Sequence, residues 1–338
     1  MSKFKTAIIG VGRIGFTLGF DKKREQPASH TFALMQNKNI QLVAACDTCE
    51  ESLQLWKKHT KNTKIYTNLS QMLAEDYYDI VVIAVNEEHH FSVTMEVLAS
   101  KPRLIILEKP VATSVDAALQ IEQKAQELNV PILINHERRF AKDYQLAKKM
   151  LPKIGQLQYI KAALFSGLRV YKKSEDKTGF YSLLHDGTHL VDIVSFLLDG
   201  NIGDCSINHC ISDDEKCIRN VDFSAQNTAG VTVSFSISGR SRFFGFELDI
   251  LGTEGRIRIG NGLFEIFQRK ESSLYSGFYS LVKTKKIKAP KKTEYFSGMV
   301  THAVDFLQGK TDLQSTISDG IQDLRILENI KKDLQSYC

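Results

Sequence analysis

The chain has 338 residues, enough for about two domains, and is 43% hydrophobic and 25% charged. That composition can build a sizeable core without disulfide or metal staples, and it excludes disorder, collagen and a disulfide scaffold. Formal net charge is 44 − 39 = +5, but eight basic residues and one acidic residue fall between Arg269 and Lys292, which leaves about 36 − 38 = −2 elsewhere.

A near-neutral body with one basic loop is not a nucleic-acid binder. The loop reads as a solvated segment. Its interleaved Tyr275, Phe278 and Tyr279 leave an anionic substrate, such as a sugar nucleotide, or a phospholipid surface as alternatives. No apolar run approaches the roughly 18–20 residues of a membrane span. The N-terminal run is broken by Gly10, Gly12 and Arg13, without a cleavage pattern. A soluble, cytoplasmic protein without a signal peptide is expected. Of Cys46, Cys49, Cys205, Cys210, Cys217 and Cys338, only the first two form a C-x-x-C pair, and no second pair follows. Reduced structural thiols and no metal are expected.

In chain order, residues 6–9 read as a strand, with a helix from about Ile14. Strands follow at 41–46, 80–85, 104–107 and 131–134, with helical spacing at 69–73, 91–99 and 114–128. This alternation predicts βαβ units and a mostly parallel sheet. After a helix at 144–150 the style changes. Residues 156–166 alternate as a strand and 181–198 are helical. Strands are then predicted at 206–211, 221–226, 230–237, 245–251, 256–259 and 263–268, before helices at 299–307 and 317–334. The reading is a Rossmann α/β domain over 1–135, then an α+β domain over 136–338 with a large, mainly antiparallel open-faced sheet.

Gly10-Val11-Gly12-Arg13-Ile14-Gly15 is a G-x-G-x-x-G directly after a predicted strand. The first glycine permits the turn, the second the approach of a pyrophosphate, and the third close helix–strand packing, with a helix N-terminus aimed at the anion. Asp47 ends the second strand, where a carboxylate accepts from ribose hydroxyls and repels a 2′-phosphate. NAD is therefore expected, with Arg13 and nearby lysines leaving NADP open. Asp47 lies further from the glycines than the usual spacing, and the polar stretch 21–30 reads as an insertion within or after the first helix. A turn-capping role for Asp47 is the alternative.

Leu107-Glu108-Lys109-Pro110 leaves a buried strand at the carboxyl edge of the sheet, where open α/β sheets bind ligands. With this motif the chain resembles the Gfo/Idh/MocA family, which includes glucose–fructose oxidoreductase and inositol dehydrogenases. Further landmarks are the strand end at Asn86 with His90 after it, the run 135–140, Gly187-Thr188-His189-Leu190-Val191-Asp192, and the turn Leu251-Gly252-Thr253-Glu254-Gly255.

The resemblance implies a nicotinamide cofactor held by Gly10, Gly12, Arg13, Ile14, Gly15, Asp47, Asn86, His90, Glu108 and Lys109. It also implies homodimers or homotetramers and carbohydrate-like substrates. Lys109 maps onto a substrate-binding catalytic lysine, and His189 onto the acid–base histidine. This sequence departs from the family's D-x-G-x-H, because His185 stands four residues before His189 and the nearby carboxylate is Asp186. Either His185 takes the aspartate's place, or a non-helical turn at Gly187 presents Asp186. His136, Arg138 and Arg139 are read as substrate contacts or as interdomain salt bridges. The expected function is NAD(P)-dependent hydride transfer between nicotinamide and a carbohydrate-like secondary alcohol or its ketone. The alternatives are a non-catalytic dinucleotide sensor and a reductase of a non-sugar substrate.

Overall fold

The computed structural model describes residues 3–167, 182–200, 202–212 and 218–337. They form two compact units, Met1–Lys142 with Lys292–Gln322, and Asp143–Lys291 with Asp323–Cys338.

The first unit holds a six-stranded parallel sheet of β1 (Phe4–Ile9), β2 (Ile40–Cys46), β3 (Lys64–Tyr66), β4 (Ile80–Ile83), β5 (Leu104–Leu107) and β6 (Ile132–Ile134). Their order is β3-β2-β1-β4-β5-β6, the doubly wound order whose reversal beside β1 opens a crevice at the carboxyl ends. β4 and β5 are Ile-Val-Val-Ile and Leu-Ile-Ile-Leu and are buried throughout, as strands covered on both faces must be. The helices are α1 (His30–Gln36), α2 (Glu50–His59), α3 (Leu69–Glu75), α4 (His90–Ala99) and α5 (Val115–Leu128). α5 shows the local logic. Ser114 caps it by accepting from the Ala117 amide, Asn129 ends it in the left-handed region, and Ala118, Ile121 and Ala125 make its buried stripe.

The helix expected from Ile14 does not run on. A tight turn passes into a 3-10 turn at Thr17–Phe20, and residues 21–29 follow before α1. α1 then docks back onto the glycine turn. The amides of His30 and Thr31 donate to the Ile14 and Gly15 carbonyls at 3.1 and 2.9 Å, and Thr31 Oγ1 donates to Gly15 O at 2.7 Å. The break is held by packing among Phe16, Phe20 and Phe32, whose ring centroids lie 5.0–5.6 Å apart. The polar stretch is thus an excursion between two pieces of the first helical crossover.

The second unit contains an eight-stranded sheet of β7 (Leu157–Gly167), β8 (Cys205–Ser212), β9 (Ile218–Gln226), β10 (Thr232–Ser241), β11 (Gly245–Gly252), β12 (Gly255–Gly260), β13 (Leu263–Glu271) and β14 (Tyr279–Lys283). Their order is β14-β13-β12-β11-β7-β10-β9-β8, antiparallel except for the parallel β7–β10 pair. Alternation fixes the faces: Phe246, Leu248 and Ile250 are buried while Glu247 and Asp249 between them are not. Helix α6 (Lys142–Met150) precedes the sheet, and α7 (Gly187–Leu197) packs against β7.

A cut at 135/136 separates two segments from the unit they pack in. Residues 136–142 and 292–322 belong to the first unit, because α8 (Tyr295–Leu307) inserts Phe296, Met299, Val300, Ala303 and Val304 into the core of the parallel sheet. Next to it, Ile134 N donates to Ser315 O at 3.0 Å, and Leu133 bridges Thr316. α9 (Ile317–Tyr337) then crosses from the first unit into the second. Among the described residues, no helix is long and apolar enough to cross a membrane. Tyr181, Cys217 and Cys338 lie outside the described residues.

Candidate active site

Each glycine of the turn after β1 has a distinct job. Gly10 sits at φ +88°, and a Cβ there would lie 2.4 Å from the Ala84 carbonyl oxygen. A Cβ on Gly15 would lie 2.1 Å from the Gly10 carbonyl oxygen, whereas one on Gly12 would meet nothing within 4 Å. The outer glycines are therefore demanded by the fold. The middle one borders open space, which suits backbone approach by a pyrophosphate. Arg13 beside it is exposed and Ile14 half-buried.

Asp47 ends β2 against this turn. Its Oδ2 accepts from the Val11 amide at 2.8 Å and its Oδ1 from the Cys49 amide at 2.9 Å. The carboxylate thus caps two loops while staying half-exposed, and each oxygen retains a further lone pair. Asp47 N also donates to Tyr66 O at 3.1 Å. A cavity of about 270 Å³ adjoins, lined by Glu50, Leu53, Ile65, Tyr66, Thr67 and Gln71.

The ends of β4, β5 and β6 are wired together by side chains. Asn86 is exposed at the exit of β4. His90 is buried, with Nδ1 2.6 Å from Pro110 O and Nε2 3.1 Å from Val85 O. A neutral imidazole can donate to only one of these carbonyls, and burial pushes its pKa down despite both. His90 therefore ties the loop after Lys109 to the exit of β4.

Glu108, expected as a cofactor contact, points inward. Its Oε1 lies 2.6 Å from His30 Nε2 and accepts from Asn135 Nδ2 at 2.6 Å. Burial opposes its charge, but His30 and Asn135 outweigh that penalty and hold the carboxyl below its ordinary range. Lys109 follows, half-buried, and a cis peptide joins it to Pro110. Three elements distant in sequence thus converge beneath Lys109: the start of α1, the end of β5 and the end of β6. His30 escaped the sequence reading because a lone histidine closing a polar stretch carries no periodic signal.

The run after β6 contacts the returning segment of the first unit. His136 Nδ1 lies 3.0 Å from Ser315 Oγ, and Arg139 Nη1 donates to Gln314 O at 3.0 Å and lies 3.1 Å from Asp319. Arg138 pairs with Glu137 at 3.0 Å, whose carboxyl burial pushes up. His136 and Arg139 thus hold the returning segment 314–319 of the same unit.

In the second unit, His185 and Asp186 lie in a π-helical turn, Ser182–Asp186, that runs directly into α7. Asp186 has helical angles, φ −85° and ψ −34°, so the non-helical turn at Gly187 does not occur. His185 and His189 stay one helical turn apart, and His185, Asp186 and His189 are all half-buried. π-helical turns of this kind are frequent at functional sites.

The strand order, the glycine turn open at its centre and the acidic end of β2 define a dinucleotide-binding Rossmann domain. Residues 4–136 match the profile of the oxidoreductase family with an NAD-binding Rossmann fold. By that match the segment 4–136 is a Gfo/Idh/MocA-type NAD-binding domain.

Among curated proteins it is 24% identical over 272 residues to D-apiose dehydrogenase of Rhizobium rhizogenes, covering 78% of this chain and 75% of that one. It is 23% identical over 199 residues to an uncharacterized oxidoreductase of Schizosaccharomyces pombe, covering 57% of this chain and about half, 51%, of the yeast protein. The fold extends further than the sequence match. The WlbA dehydrogenase of Bordetella pertussis, solved with NADH and UDP-GlcNAcA, superposes with TM-score 0.77 at 19% identity over 100% of this chain and 97% of that one. A dehydrogenase from Chromobacterium violaceum gives 0.81 at 15% identity, over 100% and 98%.

Proposed function

We propose that the protein is an NAD-preferring dehydrogenase or reductase acting on a carbohydrate-like secondary alcohol or its ketone, within a sugar, cyclitol or sugar nucleotide. The observation that carries this reading is the Glu108–His30–Asn135 network beneath Lys109, at the carboxyl edge of a sheet whose glycine turn is open at Gly12. The sugar-dehydrogenase name of one relative and the sugar nucleotide bound by one fold neighbour support the substrate class.

When bound, a nicotinamide would supply the hydride acceptor or donor. The backbone of Gly10, Gly12, Arg13, Ile14 and Gly15 would hold its pyrophosphate, and the remaining lone pairs of Asp47 would accept from ribose hydroxyls and repel a 2′-phosphate. Asn86 and His90 would shape the nicotinamide side. Glu108 positions its neighbour rather than touching the cofactor. The Lys109 ammonium donates to the reacting oxygen and polarises it. His189 takes or returns the hydroxyl proton, as a group with a reference pKa of about 6.5 can near neutrality. His185 and Asp186 orient the substrate or His189.

The partly exposed face of the eight-stranded sheet, around Lys161, Asn220, Asp222 and Ser236, is the proposed homodimer or homotetramer interface, to be checked by light scattering. The protein is proposed to work in the cytoplasm. A sensor that binds dinucleotide without turnover is favoured by one observation, the histidine at 185 where the family has aspartate. Screening sugars, cyclitols and sugar nucleotides against both oxidised and reduced cofactors, with absorbance of the reduced form as readout, tests the proposal. Cofactor binding without turnover of any of them would favour the sensor.

A further inference from the structure

The β13–β14 hairpin lies at one end of the eight-stranded sheet, and among the described residues β14 pairs only with β13. Its tip is built rather than loose. Ser272 N donates to Phe278 O at 2.9 Å, Ser272 Oγ accepts from the amides of Leu274 and Tyr275 at 3.1 and 3.3 Å, and Gly277 takes φ +77°. This tip holds four large apolar side chains in water: Leu274 is 78% exposed, Tyr275 66%, Phe278 67% and Tyr279 58%. Single exposed apolar residues are ordinary, but a contiguous group marks an interaction site.

Cations stand behind the tip. Glu271 pairs with Tyr279 in the ladder, then Lys270 with Ser280, Arg269 with Leu281 and Phe267 with Lys283. At about 3.3 Å per residue these positions lie roughly 3–13 Å behind the tip. Two of the cations are engaged: Arg269 meets Glu254 at 2.8 Å and the Tyr279 ring at 4.4 Å, and Lys283 meets Glu265 at 2.7 Å. Lys270, Lys285, Lys286, Lys288 and Lys291 are exposed and make no ion pair among the described residues. Glu271 is the one acid between Arg269 and Lys292.

From this arrangement we infer that the hairpin docks the protein on an anionic phospholipid surface. Apolar side chains lead and ammonium groups follow. A leaflet presents the matching layers, because its acyl boundary lies deeper than its phosphates. Nucleic acid presents phosphate outermost and calls for the reverse order. A second copy of the hairpin would bring lysine against lysine. The reading is independent of the redox proposal.

The test is co-sedimentation of the full-length protein with phosphatidylcholine vesicles, with and without phosphatidylserine. Binding is expected only with phosphatidylserine, and it should weaken with salt as the screening length shortens from about 8 to about 3 Å. The triple variant Lys285→Gln/Lys286→Gln/Lys288→Gln should bind on the order of a hundredfold more weakly, at about fivefold per lysine. The variant Leu274→Ser/Phe278→Ser should lose binding while melting like the wild type, because neither side chain is in a core. The inference is overturned if wild type ignores phosphatidylserine or if both variants bind as well as wild type. It is also overturned if the same substitutions abolish binding to an oligonucleotide or self-association instead.

Discussion

Replacing His30 by alanine removes one of the two groups that hold the buried Glu108 carboxylate. Asn135 Nδ2 remains at 2.6 Å, but a charge that was paired on both sides becomes half-satisfied in a site closed to water. Losing one hydrogen bond to a buried charged group costs about 1.5–3 kcal/mol, and the lost imidazole also leaves a void beside the Phe296 ring, now 5.0 Å away edge-on. A destabilisation of about 1.5 kcal/mol or more is expected. Glu108→Gln keeps the shape without the charge and should cost less, about 1 kcal/mol, the difference between a hydrogen bond to a charged group and one to a neutral group.

The two variants also separate by pH. The folded Glu108 carboxyl titrates below its ordinary value, so its contribution is complete above the unfolded pKa of about 4.3 and is lost as pH falls through the lower folded value. Glu108→Gln should lack that acid-side component. Urea unfolding followed by circular dichroism between neutral and acid pH measures both effects. In the same variants turnover should fall with dinucleotide affinity retained, because Lys109 loses its support and the glycine turn does not. A His30→Ala protein as stable as wild type, within about 0.5 kcal/mol, would refute the network.

Three further outcomes are expected. Asp47→Ala should shift preference toward NADP and cost about 1 kcal/mol of stability, since it strands the Val11 and Cys49 amides; binding constants for both dinucleotides check this. His189→Ala should lower kcat about 10²–10⁴-fold, the usual worth of general acid–base assistance. Lys109→Ala should also be severe, and Lys109→Arg should not rescue it because a guanidinium does not fit an ammonium site; steady-state kinetics with an accepted substrate decides. In the same assay His185→Ala should impair turnover more than Asp186→Ala if the histidine stands in for the family's aspartate.

The strands β4, β5 and β6 of the parallel sheet were legible because they are short, wholly apolar runs, buried throughout. The antiparallel sheet was legible because residues such as those of β11 alternate. Elements without either signal were missed. α2 buries only Leu53 and Trp56 among polar neighbours, β3 is three residues long, and β14 has no buried residue. The return of α8 to the first unit is also silent in sequence, because its apolar stripe names no partner. Of the candidate site, Gly10, Gly12 and Gly15 carried spacing that implied their geometry, and Asp47 stood out by ending a strand despite its unusual distance from them. The Glu108–His30 contact joins residues 78 apart, which no local pattern encodes.

Isothermal titration of NAD into wild type and Gly12→Val addresses the central claim most directly. A Cβ at Gly12 meets nothing within 4 Å, and its backbone needs no left-handed angle, so the variant should fold and melt like wild type. The added side chain would occupy the space a pyrophosphate needs. Saturable binding to wild type and none to Gly12→Val is the expected result, whereas a wild type that ignores NAD, or a valine variant that binds it equally well, would contradict the account.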